Sequence, residues 1–214
     1  MVKLPELGSI IELQNLTPDI AKIEAGTEVS RIFFADTEHS IAWDDFRFFG
    51  PTPCRFDHHL PDKDGNGFEQ DRGIMYLATG KLAAQTCLAE VFQEKRTIDR
   101  QSRLPIYAGF ALADDIQLLD LTGAFVTTIG ASTAIHSGPR SRTRRWAQRL
   151  HDAFPQIDGI LYCSSMNGNA PSIALFERAQ RAIPSHNLLH RELRDNSMTS
   201  VITMTAQKIN YAMV

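Results

Sequence analysis

The sequence predicts a single α+β domain, a mixed β-core with flanking helices. Three observations carry this. Short runs rich in Val, Ile and Phe outnumber helical stretches, and only two internal segments carry clear helical periodicity. The strands do not alternate regularly with helices, which argues against a doubly wound parallel sheet. The sequence contains neither GxGxxG nor GxxxxGK[ST], so the common glycine-loop phosphate cradles are absent. At 214 residues the chain suits one domain with extensions, long enough to bury a core without disulfide or metal staples.

In chain order, residues 1–28 read as a helical lead-in. Thr17, Pro18 and Asp19 would start a helix and Gly26 would end it. VSRIFFA then reads as a strand. Residues 36–56 are aromatic and irregular, with Gly50–Pro51 and Thr52–Pro53 forbidding a regular helix. Residues 57–73, rich in Gly and Asp, read as a long mobile loop.

IMYLAT reads as a buried strand. KLAAQTCLAEVFQEK follows with helical periodicity, its Leu82, Cys87, Leu88, Val91 and Phe92 near one face. IYAGFAL and IQLLDL are the next strands. In SRTRRWAQRLHDAF, Trp146, Leu150 and Phe154 recur every four residues on an apolar helix face. DGILYCSS is a strand entering a Gly/Asn loop, and SIALFERA is a further strand. The tail ends in VITMTAQKINYAMV, read as one more strand. If it extends a sheet edge, that edge would suit pairing with a second copy.

Bulk chemistry narrows the function. The formal charge is −3 and the pI near 6.2, unlike a general nucleic-acid or anionic-membrane binder. Arg140, Arg142, Arg144, Arg145 and Arg149 form a local basic run, read as a solvated face or a surface for an acidic partner. Three scattered cysteines give no disulfide framework and fit a reducing cytoplasm. The N-terminus lacks a signal-peptide pattern, and no run nears the ~18 apolar residues of a membrane span. The histidines show no HExxH or HxH spacing, so neither metal nor resident cofactor is expected.

Glu90, within CLAEVF, is either an exposed helix position or a partly buried carboxylate that needs a partner. Arg31, in an apolar strand, either snorkels to solvent or forks onto an anion. Arg55 divides between the same readings. Ser164 and Ser165 end a strand at a flexible loop, a common place for binding residues, but no GxSxG elbow surrounds them.

Taken in order, SRIFF, FFGP, CRFD, IMYLAT, the AE-bearing helix, DLTG, the WA-bearing helix and DGILYCSS…SIALFERA resemble the RES domain, named for its Arg, Glu and Ser. The resemblance spans roughly residues 29–180. It implies an ADP-ribosyltransferase-like split β-core over 29–184, with an N-terminal helical extension (1–28) and a C-terminal extension (185–214) completing the sheet. It implies a bacterial, cytoplasmic toxin that breaks down NAD as substrate, with phosphate or water as acceptor. A protein side chain as acceptor, which is mono-ADP-ribosylation, and a catalytically silent binding protein stay open. By resemblance, Arg31, Glu90 and Ser164 are the catalytic positions, and Arg55, Tyr76, Phe33 and Ser165 contact substrate. Ile32 stands where an aromatic commonly follows the family Arg, and Ser165 where a basic residue often follows the Ser. The implied partner is an antitoxin with an Xre-like DNA-binding domain, while this chain itself binds no nucleic acid and no membrane.

Overall fold

The computed structural model describes residues 9–214; residues 1–8 of the expected N-terminal extension lie outside them. The strands are β1 (Ile20–Ile23), β2 (Glu28–Phe34), β3 (Arg47–Gly50), β4 (Phe68–Thr79), β5 (Thr97–Ile98), β6 (Pro105–Ala111), β7 (Ile116–Asp120), β8 (Gly159–Cys163), β9 (Pro171–Phe176), β10 (Leu189–Glu192) and β11 (Ala212–Met213). The α-helices are α1 (Ile10–Gln14), α2 (Ala83–Val91), α3 (Phe125–Thr128), α4 (Arg140–Ala153) and α5 (Thr199–Ile209). The main sheet runs β1-β7-β8-β9-β4-β2-β6-β10, and β3 joins it on β4. Among the described residues, only β7 and β8 pair in parallel within it. The fold is thus mixed α+β with a mostly antiparallel sheet flanked by helices.

The sheet divides along one edge of β4. Ser30 pairs with Ala78 and Arg47 with Ile74, while Ala78 and Ile74 also pair with β9 on the other side. So β2 and β3 share the same edge of β4, and β2 peels away after Ser30.

Strand periodicity sorts the core into two faces. Ile74, Ile160, Ala174 and Phe176 pack with Trp146, Leu150 and Phe154 of the α4 side. Met75, Leu77, Ile173 and Leu175 face the other way, with Phe46 and Phe110. The 4,4 spacing of α4 does put Trp146, Leu150 and Phe154 almost wholly out of solvent.

Three expectations are corrected. The N-terminal helix is α1, capped by a reciprocal Ser9–Glu12 box, while Ile20–Ile23 is an edge strand on β7. Four residues that complete a sheet edge gain more from pairing than from the start signal at Pro18. The 57–73 stretch is not one mobile loop: Asp57, His58 and His59 are fully buried, and β4 begins at Phe68. Asp57, His58 and Arg72 are tied to Arg47, Thr52, Glu177 and Asp152 on other segments. The tail 201–214 is largely the helix α5, whose Ile202, Thr205 and Ala206 bury one face. Its β-branched residues suggested a strand, but their i, i+3, i+4 spacing is helical. Asn210, at φ +55°, ends α5, and β11 then pairs in parallel with β5 rather than with the main sheet. Within the 185–214 extension, β10 does join the main sheet, pairing with β6.

Candidate active site

α2 begins after Gly80, whose φ of +77° makes the turn out of β4. It packs on β2 and β4 through Thr86, Cys87, Leu88 and Ala89. The same face brings Glu90 to the end of β8. There Ser164, 1% exposed, donates its hydroxyl proton to Glu90 Oε1 at 2.5 Å. The amides of Met166 and Asn167 donate to Ser164 Oγ at 3.2 and 3.0 Å, and Met166 N–H also reaches Glu90 Oε1 at 3.3 Å. Among the described residues, Glu90 Oε2 receives only Gln93 Nε2, at 3.3 Å. One carboxylate oxygen is therefore anchored and the other is weakly held.

Arg55 lies close enough to Glu90 to feel its charge. Its Nη1 donates to Ile135 O, Gly138 O and Thr143 Oγ1 at 3.3, 2.9 and 3.3 Å. Burial lowers its pKa and the nearby Glu90 charge opposes that shift. Tyr162 and Tyr76 lie on the same sheet face, by the register Tyr162↔Ser172↔Ala78. Burial raises both phenols, and Glu90 adds to the effect at Tyr162. The Tyr76 hydroxyl is buried without a partner. Phe56, at φ +60° and fully buried, props Tyr162 with ring centroids 4.8 Å apart. A bulky side chain held in that region costs strain of about 1–3 kcal/mol, which the packing offsets.

The other expected positions lie elsewhere. Arg31 projects from the opposite face to Ser30, whose carbonyl accepts from Cys87 of α2. It is 4% exposed and donates through Nη1 to Trp43 O and Asp45 O at 3.2 and 2.9 Å, while Nε has no partner. Burial lowers its pKa to about 10. Its guanidinium sits 5.5 Å from the Phe33 ring, which packs with Ile106 and Ala108. Arg31 and Phe33 thus brace the 43–45 segment against the sheet, and Cys87, three residues before Glu90 on α2, lies near the Arg31 charge. Ser165 is exposed.

A second polar centre escaped the sequence reading. Asp57 accepts from Arg47 Nη2, Thr52 N–H and Thr52 Oγ1 at 2.9, 2.7 and 2.7 Å, and from His59 Nδ1 at 2.5 Å. Burial alone would raise its pKa; these donors outweigh burial and hold it below the usual carboxylate range. Nearby, His58, His151 and Glu177 place potential metal-ligand atoms within 4.8 Å of one another. However, Arg72 and Arg178 direct N–H groups at His151 Nδ1, at 3.3 and 3.1 Å. That nitrogen is then the acceptor, and Nε2 donates to Glu177 Oε1 at 3.0 Å. With two guanidiniums already balancing the carboxylates, the set fits a hydrogen-bonded network better than a cation site. Adjacent histidines in DHH gave no sign of this, because the carboxylate that His58 meets, Glu177, lies 119 residues away.

No family model matches the sequence, and no curated protein matches it. The fold is similar to the toxin MbcT in the crystal structure of the M. tuberculosis MbcT–MbcA toxin–antitoxin complex. The likeness covers 91% of this chain and 97% of that one, with a TM-score of 0.57 and 15% sequence identity. None of the helices in the described residues is long and apolar enough to cross a membrane.

Proposed function

We propose that this chain is an NAD-degrading enzyme of the RES family, the toxin of a toxin–antitoxin pair. The observation that carries the proposal is the Ser164–Glu90 pair near Arg55, set in a fold shared with a known toxin. The division of the sheet along β4 suits an ADP-ribosyltransferase-like core.

In this reading the glycosidic C–N bond of NAD breaks, and its electron pair leaves on the nicotinamide nitrogen. The positive charge that develops on the ribosyl carbon meets the Glu90 carboxylate. Ser164 and Met166 fix Oε1, so Oε2 is the oxygen turned toward the ribose. Ser164 already gives its proton to Glu90 and accepts two amides, so it orients the carboxylate and is not the nucleophile. Arg55 has Nη1 anchored and offers the rest of its fork to the diphosphate. Phosphate or water then bonds to the ribosyl carbon and releases a proton. Arg31 acts by holding the 43–45 segment. An antitoxin partner belongs to the same proposal, by analogy with the neighbour's complex.

The test is to incubate the purified protein with NAD, with and without inorganic phosphate, and follow nicotinamide and the sugar product. Phosphate-dependent release yielding ADP-ribose phosphate identifies a phosphorylase. Release without phosphate, yielding ADP-ribose, identifies a hydrolase. No nicotinamide release under either condition overturns the proposal.

A further inference from the structure

Thr86 and Glu90 are one helical turn apart on α2, so both face the loop that follows β8. Glu90 meets that loop at Ser164; Thr86 meets it at Asn167, a polar residue only 6% exposed. Asn167 Nδ2 donates to Thr86 Oγ1 at 2.8 Å. Thr86 gives its only hydroxyl proton to Leu82 O at 2.9 Å, so toward Asn167 it can act only as acceptor. This fixes the orientation of the Asn167 amide and turns Oδ1 to Gln85, whose Nε2 donates to it.

The backbone of Asn167 does the complementary work. Its N–H donates to Ser164 Oγ at 3.0 Å, beside the Met166 amide at 3.2 Å. The two amides occupy the hydroxyl's lone pairs and leave its proton for Glu90. Asn167 O accepts from Ala170 N–H at 2.9 Å, and Ala170 O from Ser164 N–H at 2.8 Å, which closes the loop on itself.

We propose that Asn167 is a positioning residue for the Glu90–Ser164 pair, clasping the 164–170 loop to α2 through Thr86. Asn167 touches no substrate in this account; it sets the spacing and direction of the Ser164 hydroxyl. The inference rests on the reading of the Glu90–Ser164 corner as the reacting site.

The test compares Asn167→Ala, Asn167→Asp, Thr86→Val, Thr86→Ser and the Asn167→Ala/Thr86→Val double variant. Asn167→Asp presents a second oxygen to Thr86 Oγ1, which has no proton to spare. Asn167→Ala, Asn167→Asp and Thr86→Val each lower kcat for nicotinamide release by about tenfold, the effect of losing one orienting hydrogen bond. KM changes much less, and Thr86→Ser, which keeps the acceptor, restores wild-type turnover. The double variant is no slower than either of its single variants, because both remove the same clasp. Wild-type kcat in Asn167→Ala, or single losses that multiply in the double variant, overturn the proposal.

Amide hydrogen exchange separates this inference from the proposed reaction. In protein without NAD, the Met166 and residue-167 amides exchange faster in Asn167→Ala and Thr86→Val than in wild type. Unchanged protection refutes the clasp even if wild-type protein cleaves NAD. Faster exchange in a wild-type protein that leaves NAD intact keeps the clasp and discards the reaction.

Discussion

Two polar centres sit in this domain, and they are built in opposite ways. Around Asp57, His59, His58, Glu177 and His151, the carboxylates are paired with arginines and histidines from several segments, while His58 Nδ1 and His59 Nε2 have no partner among the described residues. At Glu90 and Ser164, one carboxylate oxygen is anchored and the other almost free, beside an arginine with only Nη1 engaged. The first centre is closed by ion pairs between segments and suits a scaffold; the second is open at one carboxylate oxygen, which a ligand takes up in the proposed function. The proposed function assigns the chemistry to the open centre and a structural role to the richer cluster of titratable groups.

The largest expected effect falls on the closed centre. Asp57→Asn leaves the Arg47 charge without its counter-ion and costs about 3–5 kcal/mol of stability, the usual result of breaking a buried pair. Denaturant unfolding of the variant measures it; a loss under 1 kcal/mol would place Asp57 outside the scaffold.

Acid comes next. Burial pushes His58 down to about 4 despite Glu177, and His151 and His59 add to the shift. An unfolded histidine takes up its proton near pH 6.5 and the folded one near 4, so stability falls as pH drops through that window. The slope attributable to His58 is at most about 1.4 kcal/mol per pH unit. His58→Gln flattens this part of the curve. Below it, Asp57 and Glu177, both held under the usual carboxylate range, lose their contribution as they protonate.

Ser164→Ala breaks the open centre while sparing the closed one. It lowers nicotinamide release by about tenfold through loss of one orienting bond, and shifts the thermal midpoint little. The smallest effect belongs to Ser165→Ala, an exposed position expected to change stability by under about 0.5 kcal/mol and turnover not measurably. A tenfold loss there would move the substrate site outward along the loop.

The sequence revealed what short-range chemistry encodes. The α4 spacing, the strands from IMYLAT to SIALFERA and the loop after Tyr162 were legible because periodicity and breakers act locally. Glu90 and Ser164 stood out through their contexts, but only the register of β8, β9 and β4 brings them together. Arg31 looked equivalent to them in one dimension. Strand alternation sets its side chain opposite that of Ser30; its guanidinium is buried against the 43–45 segment, with Cys87 of α2 nearby. The DHH stretch looked like surface because its partners, Arg47, Thr52 and Glu177, lie on other elements. Asn167 looked like a turn residue; the i, i+4 relation of Thr86 to Glu90 was the available signal that it faces a functional helix side.

The central claim is that chemistry belongs to the open centre. Its most direct test is nicotinamide release by Glu90→Ala protein whose thermal midpoint matches the wild type. Release falls by at least about 100-fold, as for removal of a group that stabilises transition-state charge. Release at the wild-type rate would contradict it and send the search for the reacting group elsewhere in the fold.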